Sequence, residues 1–198
     1  MNAEAEQVEV QSREALRARL AANHARQDSI WLVTWKVHTP YHVSWDVVVE
    51  EALCFGWIDS QPRKLDQDRS MIRLSPRKAG SGWSGVNKAR IESLIDSGLM
   101  AAPGLAKIEL ARRDGSWTAL DTASDLSVPD DLQQAFDSHP GASGRFEAFP
   151  PSARRSILEW IALAKRPDTR AARVNETAKR AALGQKANQW SKRTSGKE

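Results

Sequence analysis

Residues 57–76 read WIDSQPRKLDQDRSMIRLSP, and this stretch decides the fold class. Segments 57–65 and 70–76 carry the apolar and polar mixture of two short strands. Asp66-Gln67-Asp68-Arg69 between them suits a turn, because an aspartate at a turn start accepts hydrogen bonds from the backbone just ahead of it. The pair therefore reads as a β-hairpin. Pro62 has no N–H to give to a ladder, so the first strand is expected at a sheet edge or a bulge. Toward the N-terminus, residues 30–37 (IWLVTWKV) read as a further strand, stopped by His38-Thr39-Pro40.

The rest of the chain is helical in pattern. Ser12 caps a helix running to Asn23 or His24, and Ser44 caps one that ends near Cys54, with Gly56 as its breaker. Ser84 caps a helix through Ile91 and Leu94 that closes at Gly98. Pro103 lies in the first turn of the next helix, which ends at Asp114-Gly115. Residues 116–128 are rich in Ser and Asp and read as irregular. Beyond them Pro129 opens a short helix, a second carries Phe146 and Phe149, and Ser152 caps the clearest helix of the chain. Asp168 or Thr169 caps the last one, which fades beyond Gly184. The expected fold is α+β: a small antiparallel sheet packed with helices, followed by a C-terminal helical module. The expected domains are an α+β core over 12–128 and a helical module over 129–184, with 1–11 and 185–198 as disordered tails.

Composition bounds the class. The chain has 198 residues, of which 40% are hydrophobic, enough to bury a core. No apolar run approaches the ~18–20 residues of a membrane-crossing helix. The opening MNAEAEQVEV is acidic and unlike a secretory signal. The single cysteine, Cys54, forms no internal disulfide, so the cytoplasm is the expected compartment. The net charge of +4 hides a segregation. Residues 60–90 hold eight basic and two acidic residues, and 154–198 hold twelve and four, while the intervening blocks are acidic. Two basic blocks of this kind suggest surfaces that meet anions.

The first basic block contains the candidate site. The loop RKAGSG (77–82) leads into a helix N-terminus at Ser84, and glycine-rich backbone and helix N-termini both offer N–H groups to anions. If the hairpin register aligns them, Trp57, Asp59, Arg73 and Arg77 share one surface. The candidate ligand-binding residues are Trp57, Asp59, Arg73, Arg77, Lys78, Trp83, Ser84, Asn87 and Arg90, with Trp83 as a stacking wall. The same residues also admit a purely structural reading. In it Trp57 and Trp83 are core, Asp59 pairs with Arg73, and Gly80 and Gly82 only turn the chain. Neighbouring arginines would lower the pKa of Asp59, which argues for an orienting carboxylate over a general base. Cys54 sits among apolar residues and reads as buried and inert. His24, His38, His42 and His139 are scattered, no metal-ligand spacing is present, and no cofactor fingerprint matches. In the second basic block Arg166, Arg170 and Arg173, with Lys179, Arg180, Lys186, Lys192 and Arg193 behind them, could contact a polyanion.

Three motifs, FGWIDSQ (55–61), SPRKAGSGWS (75–84) and AKRPDTR (164–170), carry a resemblance to the YdeI/OmpD-associated family, also described as bacteriocin-protection proteins. The likeness extends through WLVTWK and SWDVVVEEALCFGWIDSQ, and through ARRSILEWIALAKRPDTRAARV near the C-terminus. The family's usual pattern has Gly where this chain has Ser60, and Thr-Pro-Arg where it has Ser75-Pro76-Arg77. The resemblance implies stress or antimicrobial-peptide tolerance, a role defined by genetic association and not by a reaction. The expected function is thus a binding protein with an anion-accepting pocket around 57–90. The alternatives are an enzyme acting on a phosphorylated or acidic small molecule, a non-specific nucleic-acid binder, and a module whose helical end docks a protein partner.

Overall fold

The computed structural model of the chain describes residues 5–188. They form two compact units that divide between Trp117 and Thr118, ahead of the expected boundary at 128/129.

The first unit contains β1 (Gln7–Glu9), α1 (Arg13–Asn23), β2 (Ile30–Trp35), α2 (Trp45–Cys54), β3 (Trp57–Lys64), β4 (Arg69–Pro76), α3 (Gly85–Asp96) and α4 (Ala102–Arg113). The hydroxyls of Ser12, Ser44 and Ser84 cap α1, α2 and α3, accepting from the backbone N–H three residues on, as the sequence predicts. The sheet order is β1-β2-β4-β3. The hairpin β3–β4 forms with β3 at the edge, and its register slips between Asp59 and Pro62, where Ser60 and Gln61 stand against the single residue Arg73 before Pro62 pairs with Ile72. Strand alternation sends Ile30, Leu32, Ile72, Leu74 and Trp57 to one face, and these residues are buried with Leu16 and Leu20 of α1, Val48 and Leu53 of α2, and Ile91 of α3. The α+β class holds.

The N-terminal segment differs from expectation. Gln7–Glu9, read as disordered tail, pair in parallel with Trp31–Val33, so the sheet is mixed and not purely antiparallel. The free edge of β2 has backbone groups to satisfy, and three short pairings satisfy them. Acidic residues that looked like solvated tail meet arginines brought there by the fold: Glu6 binds Arg19 and Arg26, and Glu9 binds Arg69.

The second unit is helical: α5 (Asp121–Ser124), α6 (Asp130–Asp137), α7 (Ala142–Glu147), α8 (Pro151–Ala162) and α9 (Pro167–Ala182). Its core joins Leu132, Phe136, Phe146, Ile157, Ile161 and Val174. α5 lies in the stretch expected to be irregular. α8 and α9 start on Pro151 and Pro167, not after the expected caps Ser152 and Asp168 or Thr169, because a proline in the first helical position loses no hydrogen bond there. Of the expected tail 185–198, residues 185–188 are described and Ala187 is buried in the core, while Lys192 and Arg193 lie outside the described residues. Among the described residues, no helix is long and apolar enough to cross a membrane.

Candidate functional site

Arg77 follows the last residue of β4, where its N–H donates to the Gly56 carbonyl (2.9 Å) and ties the strand end to the α2–β3 turn. Its side chain turns inward and is only 2% exposed. The guanidinium lies over the Trp83 ring, with Cζ 3.6 Å from the ring centroid. Nη1 donates to the Gly82 carbonyl at 2.9 Å. Nε and Nη2 are buried and have no partner. Burial pushes the pKa down to about 10, against the opposing pull of Asp59, so the group stays charged at neutral pH. Arg77 forms no ion pair among the described residues, and its one hydrogen-bond partner is the Gly82 carbonyl. A buried cation costs several kcal/mol unless its donors are matched. The stack on Trp83 and the one carbonyl offset part of that cost.

Beside it lies a cleft lined by Arg77, Lys78, Gly80, Trp83, Lys107 and Asp114. Its open volume is about 10 Å³, on the order of one water molecule. It has room for one oxygen of an anionic group and not for a whole ligand. The loop over it is pinned: the Gly80 N–H donates to Asp114 Oδ2 (3.1 Å) and the Ser81 hydroxyl to the Lys78 carbonyl (2.7 Å). Donors from Ser116 and Gly80 hold the Asp114 carboxyl below the usual carboxylate range. Those same donors occupy its oxygens, while Lys78 and Lys107 bring two positive charges to the rim. Lys107 is placed there by Gly104. A Cβ on Gly104 would lie 2.3 Å from the Cys54 carbonyl oxygen, so only glycine lets α4 approach the end of α2 this closely.

The structure thus brings Arg77, Lys78 and Trp83 together. Ser84 and Asn87 form the cap of α3, with the Asn87 N–H donating to Ser84 Oγ at 3.4 Å. The other candidates separate. Arg73 pairs with Trp31 across the sheet, on the face opposite Leu74, and donates to Ser29 Oγ at 2.9 and 3.0 Å. The shared surface of Trp57, Asp59, Arg73 and Arg77 is therefore not formed, nor is an Asp59–Arg73 pair. The register sets Asp59 against Leu74, whose side faces the core, so Arg73 lies on the other face, while Arg77, just past the last residue of β4, leaves the strand alternation and turns inward. Trp57 is a core side chain at 1% exposure. Arg90 is bound to Asp46 at the start of α2. Cys54 is buried, and desolvation raises its thiol pKa. Sequence reasoning missed Lys107 and Asp114; the signals that point to them are Gly104 in a helix and the Asp114-Gly115 stop.

Residues 8–107 match the family model described as Domain of unknown function (DUF8412), which spans half of the chain. Residues 125–184 match the model described as Bacteriocin-protection, YdeI or OmpD-Associated. The chain belongs to the DUF8412 family and ends in a YdeI/OmpD-associated domain. No curated protein and no solved structure matches it. The suspected YdeI/OmpD-associated relationship is thus carried by the C-terminal module, and the motifs FGWIDSQ and SPRKAGSGWS fall in the DUF8412 stretch.

In the YdeI/OmpD-associated domain the three candidate polyanion contacts do not act alike. Arg170 makes two hydrogen bonds to the Asp131 carboxylate, at 2.7 and 3.0 Å. Arg173 donates to the Trp160 carbonyl and lies 4.9 Å from that residue's ring centroid. Arg166 is exposed, with Asp168 at 3.6 Å. Two of the three guanidiniums are thus taken up in joining α9 to α6 and α8.

Proposed function

We propose that this chain is a cytoplasmic binding protein of the stress- or antimicrobial-peptide-tolerance kind, and that its DUF8412 region receives the anionic end of a small ligand at Arg77. The observation that carries this reading is the buried Arg77 guanidinium, stacked on Trp83 with Nε and Nη2 unpartnered, beside a cleft rimmed by Lys78 and Lys107. An oxygen of a carboxylate or phosphate entering the cleft supplies the acceptor that the protein withholds. Charge-assisted bonds of this kind are shorter and about twice as strong as neutral ones. The lone buried thiol fits a reducing compartment. The size of the cleft favours binding over turnover, since a reaction needs a site that takes in the reacting atoms.

The test is a titration of intrinsic tryptophan fluorescence with phosphate, acetate, citrate and a short single-stranded oligonucleotide, at two salt concentrations. Trp83 lies against the guanidinium and reports occupancy. A saturable change with a small anion, absent in Arg77→Met and retained in Asp59→Asn, is the expected result. A response to the oligonucleotide alone, erased by salt, would replace this reading with loose polyanion binding. No response to any of the four overturns it.

A further inference from the structure

The alternation that sends Ile30, Leu32, Ile72 and Leu74 to the helices sends Trp31, Val33 and Trp35 of β2, and Arg69, Met71 and Arg73 of β4, to the opposite face of the sheet. Val33 and Met71 pair with each other and are buried there, yet neither belongs to the helix-packed core. The two ends of this face differ. At one, Trp35 Nε1 donates to Glu9 (3.1 Å), Tyr41 meets the Trp35 ring edge-on, and Glu9 and Asp66 bind the Arg69 guanidinium. That end is closed and its charge is balanced.

At the other end one row crosses all four strands. Gln7 of β1 pairs with Trp31, Trp31 pairs with Arg73, and the bulge residues Ser60 and Gln61 of β3 stand beside Arg73. Arg63 reaches the same indole from β3, with Cζ 5.9 Å from the ring centroid. Trp31 is half-buried and the other members of the row are exposed. Neither cation here meets a carboxylate among the described residues. Arg73 donates from Nε and Nη2 to the Ser29 hydroxyl, which fixes the guanidinium without neutralising it and leaves Nη1 for another acceptor. Arg63 has no hydrogen bond or ion pair among the described residues, and its contact is the Trp31 ring. Of the strand residues on this face only Glu9 is acidic, and it is taken up at the far end.

We infer that this end of the sheet binds single-stranded nucleic acid, with one base stacked on Trp31 and the phosphates on either side of it held by Arg63 and Arg73. Every base offers a π-face to an aromatic side chain, and a guanidinium matches a phosphate bidentately. Arg63, fastened by nothing but the ring, moves from it to the phosphate as the base arrives. Two guanidiniums on different strands with an indole between them suit a phosphodiester chain better than a lone phosphate. A duplex keeps its bases stacked inside and has none to give Trp31. An acidic peptide would satisfy the arginines and leave the ring unused, and a second copy of the chain would set arginine against arginine.

Fluorescence anisotropy of a labelled oligothymidylate, titrated with the full chain at several salt concentrations, tests this. The single strand is expected to bind more tightly than a duplex of the same length. Trp31→Ala weakens it ~10-fold, the loss of one base stack, and Trp31→Phe recovers most of that loss. Arg63→Met and Arg73→Met each make the slope of log K against log salt shallower by ~0.7, one phosphate apiece. Both arginines are exposed, so these variants carry the test if circular dichroism shows Trp31→Ala unfolded. Arg77→Met binds the strand as the wild type does, which separates this inference from the small-anion site. Equal binding of duplex and single strand, full affinity in a folded Trp31→Ala, or an unchanged salt slope in both arginine variants overturns it in favour of loose polyanion contact elsewhere. No binding overturns it as well, and so does polyglutamate bound as tightly as the single strand, which would make the occupant an acidic protein.

Discussion

Arg77 and Trp83 form a cation–π contact, 3.6 Å from guanidinium carbon to ring centroid, in which a buried cation is held with two of its three nitrogens unpartnered. Such a group costs stability where it sits and gains it back when an acceptor arrives. Arg77→Met keeps the volume and removes the charge, so stability in urea is expected to hold or to rise by ~1 kcal/mol while anion binding disappears. Arg77→Ala, which leaves Trp83 without its cover, is expected to lower stability by ~2 kcal/mol. A methionine variant as unstable as the alanine one would show that the charge itself supports the fold.

Glu51 is fully buried, and its two oxygens receive Arg13 Nε at 2.7 Å and Arg17 Nη1 at 2.9 Å. This joins α1 to α2 behind the sheet. Removing the carboxylate strands two guanidiniums whose remaining exposure is partial, so Glu51→Ala is expected to destabilise the first unit by ~3 kcal/mol. Thermal unfolding followed by near-ultraviolet circular dichroism measures it; a loss under ~1 kcal/mol would mean that water replaces the carboxylate freely.

Two glycines should answer the same substitution with opposite signs. A Cβ at Gly104 meets the Cys54 carbonyl at 2.3 Å and the Leu53 carbonyl at 2.7 Å, and both are backbone. Gly104→Ala must push α4 off α2, costing ~1–3 kcal/mol and shifting Lys107 away from the Arg77 cleft. Gly144 lies inside α7 with open space at its Cβ position, so Gly144→Ala should stabilise the second unit by ~1 kcal/mol. Denaturant midpoints of the two variants give the comparison directly.

The pH response of the second unit is expected to carry two opposed carboxylates. Hydrogen bonds from Arg170 hold Asp131 below its ordinary pKa, so its contribution is present above the usual aspartate range and is lost as pH falls through the lowered folded value. Burial raises Glu159, with Arg155 opposing, so that group favours the folded state most at low pH and loses this contribution as pH rises through the raised folded value. At pH 7, Asp131→Asn should therefore destabilise and Glu159→Gln should stabilise. Melting temperatures at pH 4 and pH 7 should show Glu159→Gln converging on wild type at the lower pH, where the glutamate is protonated, while Asp131→Asn stays destabilised at pH 4 and converges only below the lowered folded value of Asp131. Shifts of the same sign at pH 7 would contradict the assignment.

Local chemistry explains what could be read in advance. Ser12, Ser44 and Ser84 announce their helices because a cap is a contact over three residues, and Pro62 announces an edge because it lacks a donor. β1 could not be read, since its three residues become a strand only when the edge of β2 lies beside them. The candidate site divides the same way. Arg77, Lys78 and Trp83 lie within one loop, and their proximity follows from chain connectivity. Lys107 and Asp114 reach that loop only because Gly104 lets one helix touch another.

By itself the sequence determined the α+β class, the hairpin at 57–76, the capped helix starts and the basic loop that holds Arg77. Which side of the sheet each arginine occupies was decided by the tertiary structure alone. Strand residues alternate with a period of two, so the long-range pairing of Leu74 with Ile30 and Asp59 sends Arg73 to the face away from the core; Arg77 has the same parity and is buried only because the chain leaves the strand after Pro76 and ties to Gly56.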